Sequence, residues 1–304
     1  MMRAIDLFAG LGGYTCGAEM SDVDVIWAAN HWPLAVEFHA KNHLNTTHNC
    51  QDLQQANWLD VPQHDILLAS PACQGHSRAR GKERPHHNAT RSTAWAVVSA
   101  LETHKTPLAV IENVTEFCKW SLYPSWCDAL ARLGYAIAPH IVNASDHGLA
   151  QNRERVFIVL SRSRAPLFLD LKKSMTHIPC ETIIDWDSHN FKSINSKKRA
   201  QSTLDQIKAG HKKHGDRFLI AYYGNESNGR SIKKPLGTVT TKDRFAVIQG
   251  DEVRMLSIAE SKRAMGFSDS YLLPDKHADA LKMLGNAVCP PVARDVINAV
   301  KAAA

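Results

Sequence analysis

The sequence predicts an α/β fold built on a mostly parallel β-sheet and joined to a smaller, loop-rich basic domain. Two patterns predict the sheet. Short apolar runs alternate with helix-spaced segments as far as Ser161, and a glycine-rich turn closes the first run. A third pattern sets the basic domain apart: residues 162–250 hold 17 Lys and Arg against 8 Asp and Glu, whereas the rest of the chain holds 19 against 22.

Each element follows in order. Ala4-Ile5-Asp6-Leu7-Phe8 reads as a strand that ends in the turn Gly10-Leu11-Gly12-Gly13. Val23–Ala29 is a second strand. Pro33–His43 has helical spacing, and its proline suits a first helical turn. Thr46–His48 is a further short strand, and Asp65–Ala69 is a buried one running straight into Ser70-Pro71. Thr93–Leu101 is read as helix, and Leu108–Asn113 and Arg155–Ser161 as buried strands. After Ser161 the basic clusters Lys172-Lys173, Lys197-Lys198-Arg199 and Lys212-Lys213 interrupt the periodicity. Short β-like pieces follow at Arg217–Tyr223, Leu236–Thr241 and Phe245–Gln249. Helical pattern returns from Leu256, and Pro290–Ala303 is an amphipathic closing helix.

Composition narrows the function classes. A chain of 304 residues suits two compact domains, and 44% hydrophobic with 22% charged residues is globular. No run approaches the ~20 apolar residues that span a bilayer, and the start MMRAIDLFAG lacks the parts of a secretory signal. Seven cysteines without a CxxC pair argue against a disulfide framework or a zinc ribbon, so a reducing cytoplasm is expected. His39/His43 and His211/His214 are spaced as helical pairs but have no third partner in a recognisable array. They read as solvated histidines, and no metal site is expected. Net charge is +6, and its excess lies inside the 162–250 segment, which suits a module facing a polyanion.

Six motifs carry chemistry. In Asp6-Leu7-Phe8-Ala9-Gly10-Leu11-Gly12-Gly13, glycines after a strand let the backbone approach a ligand, and the missing GxGxxG disfavours a dinucleotide dehydrogenase. Asn30-His31-Trp32 closes the second strand, where such sheets hold the ribose of a nucleotide-like ligand. Trp32 offers an aromatic face or a core side chain. Asp52 is either an acceptor for an adenine amino group or a turn aspartate. Ser70-Pro71-Ala72-Cys73-Gln74-Gly75-His76-Ser77 sets a cysteine in a Pro/Gly loop at a strand end, followed by the basic, lid-like Arg78-Ala79-Arg80-Gly81-Lys82-Glu83-Arg84. Glu112 closes the buried run LAVIEN, a costly place for a carboxylate without a partner or a task. Arg153 and Arg155 in Gln151-Asn152-Arg153-Glu154-Arg155 lie two apart, on one face of a strand. Leu284-Gly285-Asn286-Ala287-Val288 precedes the closing helix.

Together, DLFAGLGG, PACQ, ENV, QNRER and GNAV, in that order, resemble the cytosine-5 DNA methyltransferases over nearly the whole chain outside 165–250. The resemblance implies a Rossmann-like sheet of the class I methyltransferase type. Residues 1–164, completed by 275–304, would form the catalytic domain, and 165–274 the target-recognition domain. It implies S-adenosyl-L-methionine as cofactor, held by Asp6, Phe8, Gly10, Leu11, Gly12, Gly13, Asn30, His31, Trp32, Asp52, Leu53, Pro71, Asn286 and Ala287. Cys73 would attack C6 of a flipped-out cytosine, Glu112 would serve N3 and the amino group, and Arg153 and Arg155 would support them. Double-stranded DNA would be met by Gln74, Ser77, Arg78, Arg80, Lys242 and Arg244, with Lys197, Arg199 and Arg230 as further candidates. The resemblance implies a monomer and, where such an enzyme is half of a restriction–modification pair, a cognate endonuclease. One branch of the family acts on RNA, so tRNA is the alternative substrate, and a silent DNA-binding relative is the alternative class. The sequence departs from the family twice: Ala72 replaces the second proline of Pro-Pro-Cys-Gln, and His31 replaces the acidic residue before Trp32. Neither change removes a reacting group, so an active enzyme is expected.

Overall fold

The computed structural model describes residues 1–72, 92–163, 165–196, 199–222 and 226–304. The chain divides into two compact units. The first comprises Met1–Asn143, Glu154–Lys173 and Ala287–Ala304, and the second Ala144–Arg153 and Ser174–Asn286.

The first unit is organised by a seven-stranded sheet: β1 (Met2–Leu7), β2 (Val23–Asn30), β3 (Thr47–Cys50), β4 (Ile66–Ala69), β5 (Leu108–Asn113), β6 (Ala136–Asn143) and β7 (Glu154–Ser161). Their order across the sheet is β3-β2-β1-β4-β5-β7-β6. All neighbours pair in parallel except β7, which runs antiparallel between β5 and β6. The expected mostly parallel α/β architecture is therefore present. Every residue of β4 and β5 is buried, as the continuous apolar runs require of central strands in a parallel sheet. The helices of this unit are α1 (Gly13–Glu19), α2 (Pro33–Asn42), α3 (Trp95–His104) and α4 (Tyr123–Arg132), with a closing helix over Pro290–Ala303. Proline stands in the first turn of α2, α4 and the closing helix, where its missing N–H costs nothing. Trp58, Phe117, Trp126 and the inward residues of β1, β4, β5 and β7 share one core.

The strand order reverses between β1 and β4. Carboxyl ends of strands at such a reversal diverge and leave a crevice. Backbone hydrogen bonds tie the strand ends together there: Ser70 N–H donates to Leu7 O (3.0 Å) and Ala9 N–H to Ala29 O (3.1 Å).

The closing helix packs directly on α1. A Cβ on Gly13 would stand 2.0 Å from Val288 O, and one on Gly17 would stand 2.5 Å from Ala293 Cβ and 2.8 Å from Pro290 O. These glycines let the two backbones touch. Both ends of the chain thus build one unit.

The second unit holds an antiparallel sheet, in the order β8 (Lys192–Ser193), β11 (Glu252–Met255), β10 (Phe245–Gln249) and β9 (Arg217–Ala221). Helix α5 (Gln201–His214) packs on it through Ile207, against Phe218, Ile220 and Ile248. Helices α6 (Ile258–Met265) and α7 (His277–Asn286) complete the unit, and the closing helix of the first unit becomes α8. Among the described residues, no helix is long and apolar enough to cross a membrane.

The basic segment, expected to be loop-rich with short β-like pieces, holds the antiparallel sheet and also the 14-residue α5. Two expectations need correction. Leu236–Thr241 is not a strand, and only Leu236 makes an isolated parallel bridge, to Gln151. His39 and His43 are buried, at 1% and 3% exposure, because α2 turns that face onto α1 and β3. The sequence reading also missed β6, whose Pro139 would break a central strand but is tolerated at the sheet edge.

The α1–α8 contact makes a prediction. Gly17→Ala forces a methyl into a filled space and should lower the unfolding free energy by about 2 kcal/mol in a urea titration. An unchanged midpoint would show that α8 can shift at no cost.

Candidate active site

The site is built on the carboxyl ends of β1, β4 and β5. Asp6, the penultimate residue of β1, is fully buried. Its Oδ2 accepts a hydrogen bond from Thr15 Oγ1 (2.9 Å), and its Oδ1 has no hydrogen-bond partner among the described residues. Burial raises this carboxyl to about 7, and the hydrogen bonds from Thr15 only partly oppose the rise.

Immediately after Asp6 the backbone turns left-handed three times in five residues, at Phe8 (φ 60°), Gly10 (φ 56°) and Gly12 (φ 95°). A left-handed phenylalanine is strained and rare, and such conformations gather where a backbone must present itself to a ligand. Gly13, by contrast, is explained by its contact with Val288. Leu11 is buried, and Ala287 is buried beside the start of α8.

The second rim is the end of β2. Asn30 Oδ1 accepts the backbone N–H of Trp32 (2.9 Å), which fixes the turn into α2. Trp32 is half-buried and His31 is exposed. Asp52 Oδ1 accepts Gln54 N–H (3.0 Å) and caps a short 3₁₀ turn over Leu53–Gln55, while Leu53 itself lies in the core. Gly10, Asn30, His39 and His48 line one small depression with no room for a water molecule.

The third rim holds the acid. Glu112 ends β5 at 6% exposure, and Arg155 Nε stands 3.1 Å from its Oε1. The register explains the meeting. Glu112 pairs with Phe157 across the antiparallel β5–β7 ladder, so Arg155 is its diagonal neighbour on the same face. Next along, Asn113 donates from Nδ2 to Pro71 O (3.1 Å) and accepts Val114 N–H on Oδ1 (2.9 Å). Because Ala69 pairs with Ile111, the chain leaves β4 and enters the segment after Ala72 beside Glu112 and Asn113. Cys73, Gln74, Ser77, Arg78 and Arg80 lie outside the described residues, as does Lys197.

Tyr14, which the sequence reading did not single out, is within electrostatic reach of both acids. Its ring meets Phe157 edge-on (centroids 6.2 Å apart), and its hydroxyl has no hydrogen-bond partner among the described residues. Burial, then the charges of Glu112 and Asp6, push its phenol up. Ser70 Oγ is likewise buried without such a partner. Asp6 Oδ1 and the hydroxyls of Tyr14 and Ser70 are thus three buried polar atoms without a hydrogen-bond partner among the described residues, on segments at or next to the ends of β1 and β4. These groups fit a ligand that carries both positive charge and hydrogen-bonding groups.

In the second unit Arg153 is buried and spans two carbonyls, donating from Nη1 to Val239 O (3.1 Å) and from Nη2 to Gly285 O (3.0 Å). Gln151 reinforces the clamp: its Oε1 accepts Val239 N–H (2.7 Å), and its Nε2 donates to Ala264 O (2.9 Å). Gly285 must be glycine because a Cβ there would stand 2.5 Å from the Thr240–Thr241 backbone. The QNRER and GNAV motifs therefore meet over Val239–Thr241, with Asn286 closing α7. Beyond them Lys242 is exposed, and the guanidinium groups of Arg244 and Arg230 lie 5.7 and 5.6 Å from the Phe245 ring centre. Of the two motif arginines, Arg155 meets Glu112, while Arg153 makes these two bonds within its own unit.

The clamp predicts that Arg153→Lys, which keeps the charge but cannot span both carbonyls, destabilises the protein by about 2 kcal/mol. Chemical denaturation checks this. Wild-type stability in the variant would remove the clamp from the account.

Comparison with known proteins agrees with this geometry. A family model described as C-5 cytosine-specific DNA methylase matches residues 2–302. The type II methyltransferase M.NlaX of Neisseria lactamica is 28% identical, over 100% of this chain and 97% of its own length. M.HhaI of Haemophilus parahaemolyticus is 25% identical over 94% and 90%. Among solved structures, a DNMT2 variant from Spodoptera frugiperda superimposes with a TM-score of 0.72 at 18% identity, covering 99% of this chain and 100% of that one. Entamoeba histolytica EhMeth gives 0.65 at 17%, covering 99% and 98%. At those identities the structural likeness speaks for the fold.

Proposed function

Since the chain belongs to the C-5 cytosine-specific DNA methylase family, and so is a DNA cytosine-5 methyltransferase, we propose that it uses S-adenosyl-L-methionine to methylate C5 of a cytosine flipped out of a specific duplex sequence. The observation that carries this reading is the Glu112–Arg155 pair (3.1 Å) beside Asn113, whose side chain holds the carbonyl of Pro71. That arrangement brings a buried acid to the point where the Cys73 segment begins.

C5 of cytosine is a poor nucleophile. Addition of the Cys73 thiolate at C6 makes it enamine-like, and a proton from Glu112 to N3 takes up the developing charge. Arg155, 3.1 Å from Glu112, would hold that carboxyl in place for the step. When bound, the cofactor supplies an electrophilic methyl group on a sulfonium. Loss of the C5 proton then lets the C5–C6 double bond re-form and expels the Cys73 thiolate. These steps need access to the ring face, so the base must leave the stack, at a cost of a few kcal/mol.

For the cofactor, Asp6 and Ser70 would meet its charged and polar groups, the Phe8–Gly12 turn its backbone-seeking groups, and Trp32 its adenine ring. Asp52 already spends one oxygen on the Gln54 N–H, so an adenine amino group would use the other. Leu11, Gly13, Leu53, Pro71 and Ala287 shape the walls, and Asn286 belongs to the same proposed set. Lys242 and Arg244, with Gln74, Ser77, Arg78 and Arg80, are the proposed DNA contacts. The proposed domain assignment remains 1–164 with 275–304 as the catalytic part and 165–274 as the target-recognition part. The type II names of the relatives support a cognate endonuclease as a proposed partner.

Transfer of labelled methyl from the cofactor to bacterial genomic DNA and to bulk tRNA tests this reading. Label in DNA is expected. Cys73→Ser should lose transfer by at least about 10³-fold while binding the cofactor as wild type does. Label in tRNA alone, or retained turnover in Cys73→Ser, would overturn it.

A further inference from the structure

A chain of hydrogen bonds leads from the buried Asp6 to the edge of the sheet. Thr15 Oγ1 lies 2.9 Å from Asp6 Oδ2 and 3.1 Å from His39 Nε2, and His39 Nδ1 lies 2.8 Å from His48 Nε2. Asp6, Thr15 and His39 are buried, whereas His48, on edge strand β3, is partly exposed. His39 and His48 also line the small depression shared with Gly10 and Asn30, so the chain reaches a surface it shares with two of the proposed cofactor residues.

Proton counting shows that this chain can run both ways. With Asp6 as a carboxylate, Thr15 donates to Asp6, His39 Nε2–H donates to Thr15, and His48 Nε2–H donates to His39 Nδ1. One proton taken up at His48, whose hydrogen bond with the Thr46 backbone favours the protonated ring, reverses every link. The His48 Nε2 proton passes to His39 Nδ1, the His39 Nε2 proton to Thr15, and the Thr15 proton to Asp6 Oδ2. Asp6 then donates to Thr15, Thr15 to His39 Nε2, and His39 Nδ1–H to His48. Each heavy atom in the chain keeps its partner in both states.

We propose that Thr15 and His39 are positioning residues that act through Asp6. Their reversible chain lets Asp6 hold a negative charge while the cofactor is cationic and shed it when the product is not. S-adenosylmethionine carries a sulfonium, an ammonium and a carboxylate, a net positive charge. S-adenosylhomocysteine has lost the sulfonium and is neutral overall. A charged Asp6 at this rim therefore favours cofactor over product, and the discrimination is lost when Asp6 is protonated. The inference rests on the cofactor reading proposed above.

The surroundings place this titration near neutrality. Burial holds Asp6 up near 7, and His39 is kept neutral first by burial and then by His43 and His48. The other groups facing the chain are Tyr14 on α1, with Glu112 behind it on β5, and His43 on α2. His43 Nδ1 lies 2.7 Å from Glu19 Oε1, and its ring centre lies 4.7 Å from that of His39. None of them replaces a link in the chain. Because the Asp6 pKa is raised, its charge, and with it the preference for the cation, is absent well below pH 7 and develops as pH rises through it.

Calorimetric binding of S-adenosylmethionine and S-adenosylhomocysteine between pH 5.5 and 8.5 tests the inference without turnover. In wild type the affinity ratio, cofactor over product, should rise by about 5-fold or more through pH 7. Cofactor binding near pH 7 should release a fraction of a proton. Asp6→Asn should flatten the ratio. His39→Gln, whose amide can accept at one end and donate at the other, should keep the step. His39→Leu, which only fills space, should weaken or shift it. A packing role predicts the reverse ranking of the two His39 variants. If His39→Leu does not fold, the proton count in wild type decides. Binding with no pH step and no proton exchange overturns this inference alone. No binding of either molecule at any pH overturns the cofactor reading, and this inference with it.

Discussion

A carboxylate at the end of a fully buried strand is the constraint around which the first unit is arranged. Glu112 closes β5, whose six residues are all buried, so its charge cannot be met by water. Arg155 meets it at 3.1 Å, and that is possible only because β7 runs antiparallel beside β5 and sets Phe157 opposite Glu112. Had β7 been parallel, the QNRER segment would lie at the other end of the sheet. The single reversed strand is therefore a condition for the acid to be present. Such pairs are costly to break, because removing one partner leaves the other charge buried.

The same economy of position explains the other acid. Asp6 stands one residue before the end of β1, next to the reversal of strand order, with one oxygen bonded to Thr15 and the other buried without a hydrogen-bond partner among the described residues. Tyr14 is within electrostatic reach of both carboxylates. Two acids near the carboxyl ends of β1 and β5 thus have opposite arrangements, one paired with a cation and one raised toward neutrality by burial. The α1–α8 contact through Gly13 and Gly17 fixes α1, and with it Tyr14 and Thr15, against the strand ends.

Much of this was legible in the sequence. β1, β2, β4, β5 and β7 declare themselves as apolar runs of strand length, and α8 as an amphipathic helix behind two prolines. Glu112 was legible because an acid ending LAVIEN contradicts its surroundings. The partner of Glu112 was half legible: alternate spacing put Arg153 and Arg155 on one face, but only the β5–β7 register sends Arg155 to the acid. The histidines were misread because helical spacing says that His39 and His43 share a face, not whether that face is buried. Gln201–His214 was missed as a helix because its polar and basic residues hide the few positions, such as Ile207, that pack on Phe218. Gln151 and Gly285 were legible only as members of their motifs, since their roles depend on contacts with the distant Val239–Thr241 segment.

The central claim is that the buried acid and the cysteine after Ala72 serve one cytosine. The most direct measurement incubates the protein and S-adenosyl-L-methionine with a methylated-site duplex in which the target cytosine is 5-fluorocytosine, then maps the trapped complex by peptide mass spectrometry. Fluorine at C5 cannot leave as a proton does, so the bond to C6 persists. A single stable adduct on Cys73 is expected, with a yield that falls when Glu112 is changed to Gln. Absence of any adduct on a duplex whose unsubstituted form the enzyme methylates would contradict the claim.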